Sequence, residues 1–376
     1  MDGSAFGAGP PRCARQRHAW AYAQVFALAL RARRLARVPR GGPGSVLATQ
    51  SFGRGRTHAS AVLLHVLSRL LGLGGSLVAA SILVFVVVNV LPGDVAAVIL
   101  GTSATPEAVE ALRHQMGLDQ PLWLRYLGWV GGLTHGDFGT SLLSHAAVGD
   151  LILQKLSVSG PLALASAVVA LAVAVPLGLL AGLRYREVTG AVISAISLVG
   201  IAIPAFWAGL LLVTVFAILL KALPAGGFVD WSDNPVAAAR SLILPSLALG
   251  LVQAAVLTRY IRSAIVDVQR EDFIRTARAK GLTRRQALVR HGLRYAAIPV
   301  VTVLGIQLTS LLVGAVVIEN VFVLPGLGRL LFQSVGNRDL IVVQDLVMLL
   351  TAVVLLVNFG VDLLYRLLDP RVRATP

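Results

Sequence analysis

Charged residues and cysteine are both scarce in this sequence of 376 residues. Asp, Glu, Lys and Arg together make up 14% of the chain, whereas about 25% is usual in soluble domains. Hydrophobic residues make up 56%, and the mean hydropathy is +0.78. Cys13 is the only cysteine, which excludes an intrachain disulfide framework and a cysteine-based metal cluster. The composition excludes an ordinary soluble domain and predicts an all-α, polytopic membrane protein.

Familiar catalytic motifs are absent as well. The sequence contains no GxxxxGK[ST] loop, no HExxH and no GxSxG, so neither ATP hydrolysis nor cleavage of a peptide or ester has a recognisable site. The five histidines from His65 onward are scattered, and none is paired at ligand spacing on one helix: His65, His114, His135, His145 and His291. We expect a protein that is not an enzyme and that binds neither a metal nor another cofactor itself.

Six long apolar segments follow residue 65, each close to the length of about 20 residues that a membrane span requires. They are Leu70–Leu91, Val158–Leu183, Val192–Leu220, Ser241–Thr258, Ile298–Ile318 and Leu346–Tyr365. The fourth is the shortest, although Arg259 and Arg262 can snorkel to the interface and lengthen it. The pattern predicts six transmembrane helices.

The basic residues lie mostly on one side of these spans. If the N-terminus is inside, that side holds 26 of the 33 Lys and Arg residues. The positive-inside rule therefore predicts that both termini and a loop at 267–297 are cytoplasmic, and that the region 92–157 is external. The net charge of +15 reflects this bias, and we expect no nucleic-acid partner.

Residues 1–60 differ from the remainder, because Arg, Gly and Ala dominate and no apolar run is long enough to span. Ala14–Val38 fits a basic amphipathic surface helix, and the segment also resembles an organellar transit peptide. Translation from a downstream start is a third reading. We expect a disordered or mis-assigned extension, followed by one transmembrane domain over 61–376.

The basic loop has its own internal order. Its sequence predicts a helix over Glu271–Lys280 that stops in a left-handed turn at Gly281. Thr283 and Gln286 then have the spacing of a capping box that begins a second helix, and Leu282 lies where a hydrophobic staple belongs. That second helix is expected to carry Leu288, Val289, Leu293 and Ala296 inward.

Arg284 and Arg285 fall in the first turn of this second helix, where the helix dipole disfavours cations. We therefore expect an anionic group outside the helix, either a lipid phosphate or a partner protein, to receive them. The predicted spans contain no charged residue in their interiors, unlike ion-coupled carriers and voltage sensors. The chain must then take its energy from elsewhere, and a partner that hydrolyses ATP at the basic loop would supply it.

Several polar and aromatic residues remain ambiguous on sequence alone. Trp123, Tyr126 and Trp129 are typical of an interfacial belt, so a lipid-facing role is favoured over substrate stacking. Glu319 could face a translocation path, but at a span end a solvated carboxylate is favoured. Asp362 stands one turn before Arg366, which favours a local ion pair.

Beyond these patterns, the ordered stretch TARAKGL around Gly281 resembles the coupling loop of permeases of the dipeptide and oligopeptide type of ABC importer. The family's Glu-Ala-Ala positions hold Arg275, Thr276 and Ala277 here, so two of the three depart from the pattern. The resemblance extends over about 310 residues from His65 and includes the motifs LPGD, TPE, MGLDQPL, GDFGTS, PGLG and NRD. The external signature in this resemblance consists of Glu319, Phe322, Pro325, Gly326 and Gly328.

The resemblance implies a permease subunit that forms a heterodimer with a second permease. It also implies two ATPase subunits carrying MgATP, and an extracytoplasmic solute-binding protein. The residues expected to couple to an ATPase are Arg275, Thr276, Ala277, Ala279, Lys280, Gly281 and Leu282. Di- or oligopeptides are the implied cargo, while related importers carry nickel, glutathione or oligosaccharides. A passive channel, a secondary carrier and a membrane enzyme are the alternative classes.

Overall fold

The structure is a computed structural model that describes residues 57–90, 105–115 and 119–368. Within these ranges the chain is helical and contains no β-strand. The predictions for residues 1–56 and for the LPGD motif lie outside the described residues. The α-helices are α1 (Thr57–Val90), α2 (Pro106–Gln115), α3 (Leu122–His135), α4 (Val148–Leu183), α5 (Val188–Ala202), α6 (Ala205–Leu212), α7 (Pro235–Val268), α8 (Asp272–Ala279), α9 (Arg284–Ala287), α10 (Leu293–Val321), α11 (Leu327–Gly336) and α12 (Leu340–Leu368). Two π-helical segments, Val213–Leu219 and Leu288–Gly292, follow α6 and α9.

Five stretches of the described chain are long and apolar enough to cross a membrane: Leu67–Asn89, Val148–Leu183, Pro235–Val268, Arg284–Val321 and Leu340–Leu364. These confirm the all-α, multi-span prediction. The third expected span, Val192–Leu220, is instead broken, because α5 and the helix that follows it are bent by 100°. Ile203 adopts an extended conformation there. Pro204 disfavours the helical region for the residue before it, so α5 ends at this point.

Helix α7 is the centre of the bundle, and 72% of its most apolar 18-residue stretch is buried. It packs most extensively against α4, and also against α5, α6 and α10. A Cβ atom at Gly178 or Gly182 would lie 2.6 Å from Ile261 or Ile265, respectively. The GxxxG spacing of these two glycines on α4 therefore permits close helix packing against α7.

The aromatic residues of α3 pack mainly inside the chain. Tyr126 forms a 2.9 Å hydroxyl contact with Ser81 of α1. Trp129 donates from Nε1 to Asp345 Oδ1 of α12 at 2.7 Å. The lipid-facing prediction is therefore wrong for Tyr126 and Trp129, because α3 lies against α1 and α12. Trp123 is 64% exposed, which agrees with the lipid-facing prediction.

The ends of α1 and α12 are linked by an ion pair between Arg69 and Asp362. Both side chains are about half exposed, so the pair contributes little to stability. The side chain of Arg366 lies outside the described residues, and its pair with Asp362 stays a prediction.

Candidate functional site

The turn that ends α8 matches the sequence prediction. Gly281 has a φ of +95°, which only glycine adopts without strain. Its amide donates to the Arg278 carbonyl at 3.0 Å, and the Leu282 amide donates to the Ala277 carbonyl at 3.3 Å. These two bonds form a Schellman motif, which satisfies carbonyl groups at the end of the helix.

The capping box that opens α9 is also confirmed. The Thr283 hydroxyl accepts from the Gln286 amide at 3.3 Å. The Gln286 side-chain carbonyl accepts in return from the Thr283 amide at 3.0 Å. The two short helices are therefore fixed on both sides of Gly281 by local hydrogen bonds, and the loop has a defined shape.

The inward face of this loop is anchored in the bundle. Ile274, Ala277 and Leu288 are buried in a cluster with Ile265 and Val268 of α7. Ala277 is only 7% exposed, so its position is an anchoring one and it does not belong to the loop surface. Leu282 packs, half-buried, against the same cluster.

Val289 is 57% exposed, and the prediction that it points inward is wrong. It lies in the π-helical segment Leu288–Gly292. An i→i+5 turn holds more residues than an α-helical turn, and this shifts the side chains that follow away from the α-helical register. The neighbouring Leu288 and Ala296 are buried as predicted, and Leu293 is half-buried.

The outward face of the loop is basic and carries small side chains. Its exposed members among the predicted coupling residues are Arg275, Thr276, Ala279, Lys280 and Gly281. Arg275 pairs with Asp272 at 3.3 Å across one exposed helical turn. This surface is available to a partner and is held by the anchored residues behind it.

Gln269, which sequence reasoning missed, joins the loop to two spans. Its side-chain Nε2 donates to the carbonyls of Gly182 in α4 and Ile265 in α7, at 3.0 and 3.1 Å. Its Oε1 accepts from the Nε of Arg284. The only sign of this role in the sequence is that a polar residue directly follows the long apolar helix α7.

Arg284 also lies over the ring of Tyr185, 5.0 Å from its centroid. The prediction that an outside anion receives this residue is wrong, since the chain itself supplies a carbonyl oxygen and an aromatic face. Arg285 is exposed, and an anionic partner for it stays a prediction.

A second group of polar contacts lies at the opposite end of α10. The carboxylate of Glu319 is 1% exposed, so the expectation of a solvated carboxylate is wrong. It accepts from the Ser159 hydroxyl at 2.5 Å, and from the Gly328 and Arg329 amides at 2.7 and 3.1 Å. The carboxylate thus caps the N-terminus of α11, where the helix dipole favours negative charge.

The other signature residues surround this cap. Phe322 is buried among α7 and α10 residues, and its carbonyl accepts from the Gly227 amide at 2.8 Å. Pro325 is half-buried in the turn between α10 and α11. A Cβ atom at Gly328 would lie 2.5 Å from the Val316 backbone. The external signature therefore fixes α11 against the end of α10. We call this set of contacts, centred on the capping carboxylate, the Glu319 lock.

The GDFGTS and NRD motifs, far apart in sequence, meet beside this lock. The Ser141 hydroxyl donates to Asp339 Oδ2 at 2.6 Å, and both side chains are buried. The Leu142 amide approaches the other oxygen of Asp339 at 3.4 Å. Among the described residues, no group of three His, Cys, Asp or Glu side chains could hold a metal ion.

Comparison with known proteins identifies the class of this bundle. The sequence model of the family described as the binding-protein-dependent transport system inner membrane component matches residues 174–374. The sequence model of the N-terminal part of the same family of membrane components matches residues 62–159. The chain belongs to this family of inner-membrane permeases. It is a multi-pass bacterial inner-membrane protein and a permease subunit of an ABC importer, and not an enzyme.

Two permeases of known name support this assignment. The chain is 40% identical over 312 residues to the glutathione transport system permease protein GsiC of Escherichia coli (strain K12) and to that of Shigella dysenteriae serotype 1 (strain Sd197), covering 83% of this chain and 99% of each relative. A crystal form of the inward-facing MetNI methionine ABC transporter aligns with a TM-score of 0.47 at 18% identity, over 58% of this chain and 96% of that chain.

Proposed function

We propose that the chain forms, with a second permease, the membrane path for short peptides, and that the loop around Gly281 couples this path to ATPase subunits. The observation that supports it is the shape of the loop. One face is anchored under α7, and the opposite face is exposed and rich in cations and small side chains. A surface of this kind fits a groove on a partner, because Thr276, Ala279 and Gly281 permit close approach.

The contacts of Gln269 support a mechanical role for the loop. They connect Arg284 of α9 to the end of α4 at Gly182. A displacement of the loop by a partner is then transmitted to two spans as the movement of one rigid element. Coupling through such an element requires two arrangements of the bundle, one open to each side of the membrane.

The energy comes from the partners, since no nucleotide-binding loop occurs in this sequence. In the proposed assembly, two ATPase subunits bind MgATP beneath the loop, and a solute-binding protein delivers cargo to the opposite face. In the proposed orientation, which the positive-inside rule supports, the loop and both termini are cytoplasmic. The Glu319 lock then lies at the extracytoplasmic end.

The proposed cargo is a short peptide, and glutathione is included because it is a tripeptide with one γ-linked bond. The support is the resemblance of the motifs to the peptide branch and the name of the 40% identical relatives. Nickel and oligosaccharides are the competing cargoes within the same family. The residues of one permease do not distinguish these cargoes, because recognition rests largely with the binding protein.

The test is cargo-stimulated ATP hydrolysis in liposomes that contain this chain, the neighbouring permease, the ATPases and the binding protein. Dipeptides, oligopeptides, glutathione, nickel and an oligosaccharide are added in turn. Stimulation by peptides or glutathione, lost when the loop around Gly281 is altered, supports the proposal. Stimulation by nickel alone contradicts the cargo, and flux through this chain alone without ATP would point to a channel or carrier.

A further inference from the structure

The turn between α4 and α5 carries an aromatic ring that lies against two cations. The ring of Tyr185 is half-buried. The guanidinium carbon of Arg284 lies 5.0 Å from the ring centroid, and that of the neighbouring Arg186 lies 5.3 Å from it. A cation within about 6 Å of a ring centroid is attracted by the negative face of the ring. Because Arg284 belongs to α9, Tyr185 joins the loop around Gly281 to this turn.

The turn itself is short and holds α5 close to the end of α4. Leu183 ends α4, and Val188 begins α5. The Glu187 amide donates to the Arg184 carbonyl at 2.9 Å, and the two side chains form an ion pair at 3.6 Å. A Cβ atom at Gly190 would lie 2.3 Å from the same carbonyl oxygen. A force on the Tyr185 ring is therefore passed to the first residues of α5.

Arg284 is held from two directions. Its Nε donates to the Oε1 of Gln269, and Gln269 itself binds the Gly182 carbonyl at the end of α4. The Tyr185 ring meets the same guanidinium from the turn. Arg284 is half-buried, and partial desolvation strengthens a cation–π contact. One side chain thus connects α9 to α4 through hydrogen bonds and to α5 through an aromatic ring.

Helix α5 is the first half of the broken span, and the bonds of Gln269 do not reach it. It packs along α7, where a Cβ atom at Gly200 would lie 2.8 Å from Ala255. Its far end meets α6 at the bend of 100°. A displacement of α5 therefore changes both its packing on α7 and the position of this bend.

We propose that Tyr185 is a positioning residue, which makes α5 move together with the loop around Gly281 when a partner displaces that loop. This inference rests on the proposed coupling function, and it adds the broken span to the two spans that Gln269 reaches. The attraction needs the face of the ring and not the hydroxyl group. Phenylalanine at position 185 should therefore preserve the connection, and leucine should abolish it.

The experiment measures the distance between two spin labels in the complete complex of both permeases and the ATPases. The labels are attached to Val188→Cys on α5 and to Val289→Cys, just after α9, with Cys13 replaced by serine. The two labelled positions are 79% and 57% exposed. Double electron–electron resonance is recorded without nucleotide and with MgATP and vanadate. The distance distribution of the otherwise wild-type chain should be the same in both states, because the two labels move as one body.

Tyr185→Leu should broaden this distribution at least twofold in the nucleotide-bound state, and Tyr185→Phe should not. Tyr260→Leu, which removes a tyrosine that is 47% exposed on α7, is the matched control and should keep the wild-type distribution. If Tyr185→Leu fails to assemble, Arg284→Gln removes the cation from the loop side and should give the same broadening. A wild-type distance that changes between the two states overturns the proposal, and so does a Tyr185→Leu distribution equal to that of the wild type.

A second arm measures the stimulation of ATP hydrolysis by alanyl-alanine in liposomes that also contain the binding protein. Tyr185→Leu should lower the stimulation at least threefold while the ATPases still co-purify, and Tyr185→Phe should restore it. Full stimulation of the Tyr185→Leu complex contradicts the positioning role. A wild-type complex that no added cargo stimulates contradicts the proposed function instead, and the distance measurement, which needs only nucleotide, then still decides the role of Tyr185.

Discussion

The backbone of Gly326 passes so close to Glu319 that a Cβ atom at position 326 would lie 2.3 Å from the Glu319 Cδ atom. The carboxylate cannot move away without breaking hydrogen bonds, because it accepts from Ser159 and from two backbone amides of α11. Glycine at 326 and glutamate at 319 are therefore one structural unit, in which the small residue makes room for the buried cap.

The first prediction concerns Gly326→Ala. The added methyl group should displace the Glu319 carboxylate or the turn, at a cost of about 1–3 kcal/mol. Thermal unfolding followed by size-exclusion fluorescence should show a lower melting temperature. Gly336→Ala is the control, since a Cβ atom at that helical position meets nothing within 4 Å. Equal melting temperatures for the two variants would contradict the close approach.

The second prediction separates a structural role of Glu319 from a role in the cargo path. Glu319→Ala leaves the Gly328 and Arg329 amides unpaired, at about 1–3 kcal/mol each. Glu319→Gln keeps a carbonyl oxygen for them and should recover most of the lost stability. Both variants should keep the wild-type order of cargo preference in stimulated ATP hydrolysis. A Glu319→Ala protein that melts like the wild type but prefers different cargo would assign this residue to the path.

A third prediction tests the contact between the two distant motifs. Ser141→Ala, Asp339→Ala and the double variant form a double-mutant cycle on melting stability. A buried hydrogen bond to a charged group should give a coupling energy of about 1.5–3 kcal/mol. Ser144→Ala, at an exposed position of the same turn, should show no coupling with Asp339→Ala. Additive effects of Ser141→Ala and Asp339→Ala would show that the contact contributes nothing.

The features that sequence predicted correctly are those fixed by near neighbours. The Gly281 turn and the Thr283–Gln286 capping box depend on residues three to five positions apart. A linear sequence shows such spacings directly. The GxxxG spacing of Gly178 and Gly182, one turn apart on α4, is visible in the sequence in the same way.

The features that sequence did not reveal depend on long-range packing. Glu319 was expected to be solvated because it stands at the end of an apolar run, and nothing local shows that α11 returns to be capped by it. Asp345 precedes the expected last span, yet it is 1% exposed inside α12. Val192–Leu220 is one apolar run in the sequence, and nothing local in it shows that its two halves are bent by 100°.

The fourth prediction concerns Gly281→Val. Valine resists a φ of +95° because it is β-branched, so the turn should distort while the spans stay intact. Co-purification of the ATPase subunits should fall at least threefold, with normal amounts of the chain in the membrane. Gly227→Val, at a φ of +81° and outside the loop, introduces similar strain and should leave co-purification unchanged. Undiminished co-purification by Gly281→Val would contradict the proposed docking surface.

The last prediction tests whether Gln269 transmits movement from the loop. Gln269→Ala removes the bonds to Gly182, Ile265 and Arg284, while the Schellman turn and the capping box remain. The ATPases should still co-purify, but stimulation of ATP hydrolysis by cargo should fall by at least half. Gln333→Ala, exposed on α11, is the control. Full stimulation in Gln269→Ala would show that movement passes by another route.

The contacts of Asp339 and Asp345 have a consequence for biogenesis. Ser141 and Trp129 are synthesised 198 and 216 residues before the carboxylates that they bind. During insertion they lack these partners until Asp339 and then Asp345, in α12, have been synthesised. A nascent chain that has not yet reached Asp339 carries a serine hydroxyl and an indole N–H without these acceptors. The first half of the bundle is therefore completed only by residues that are synthesised about two hundred positions later.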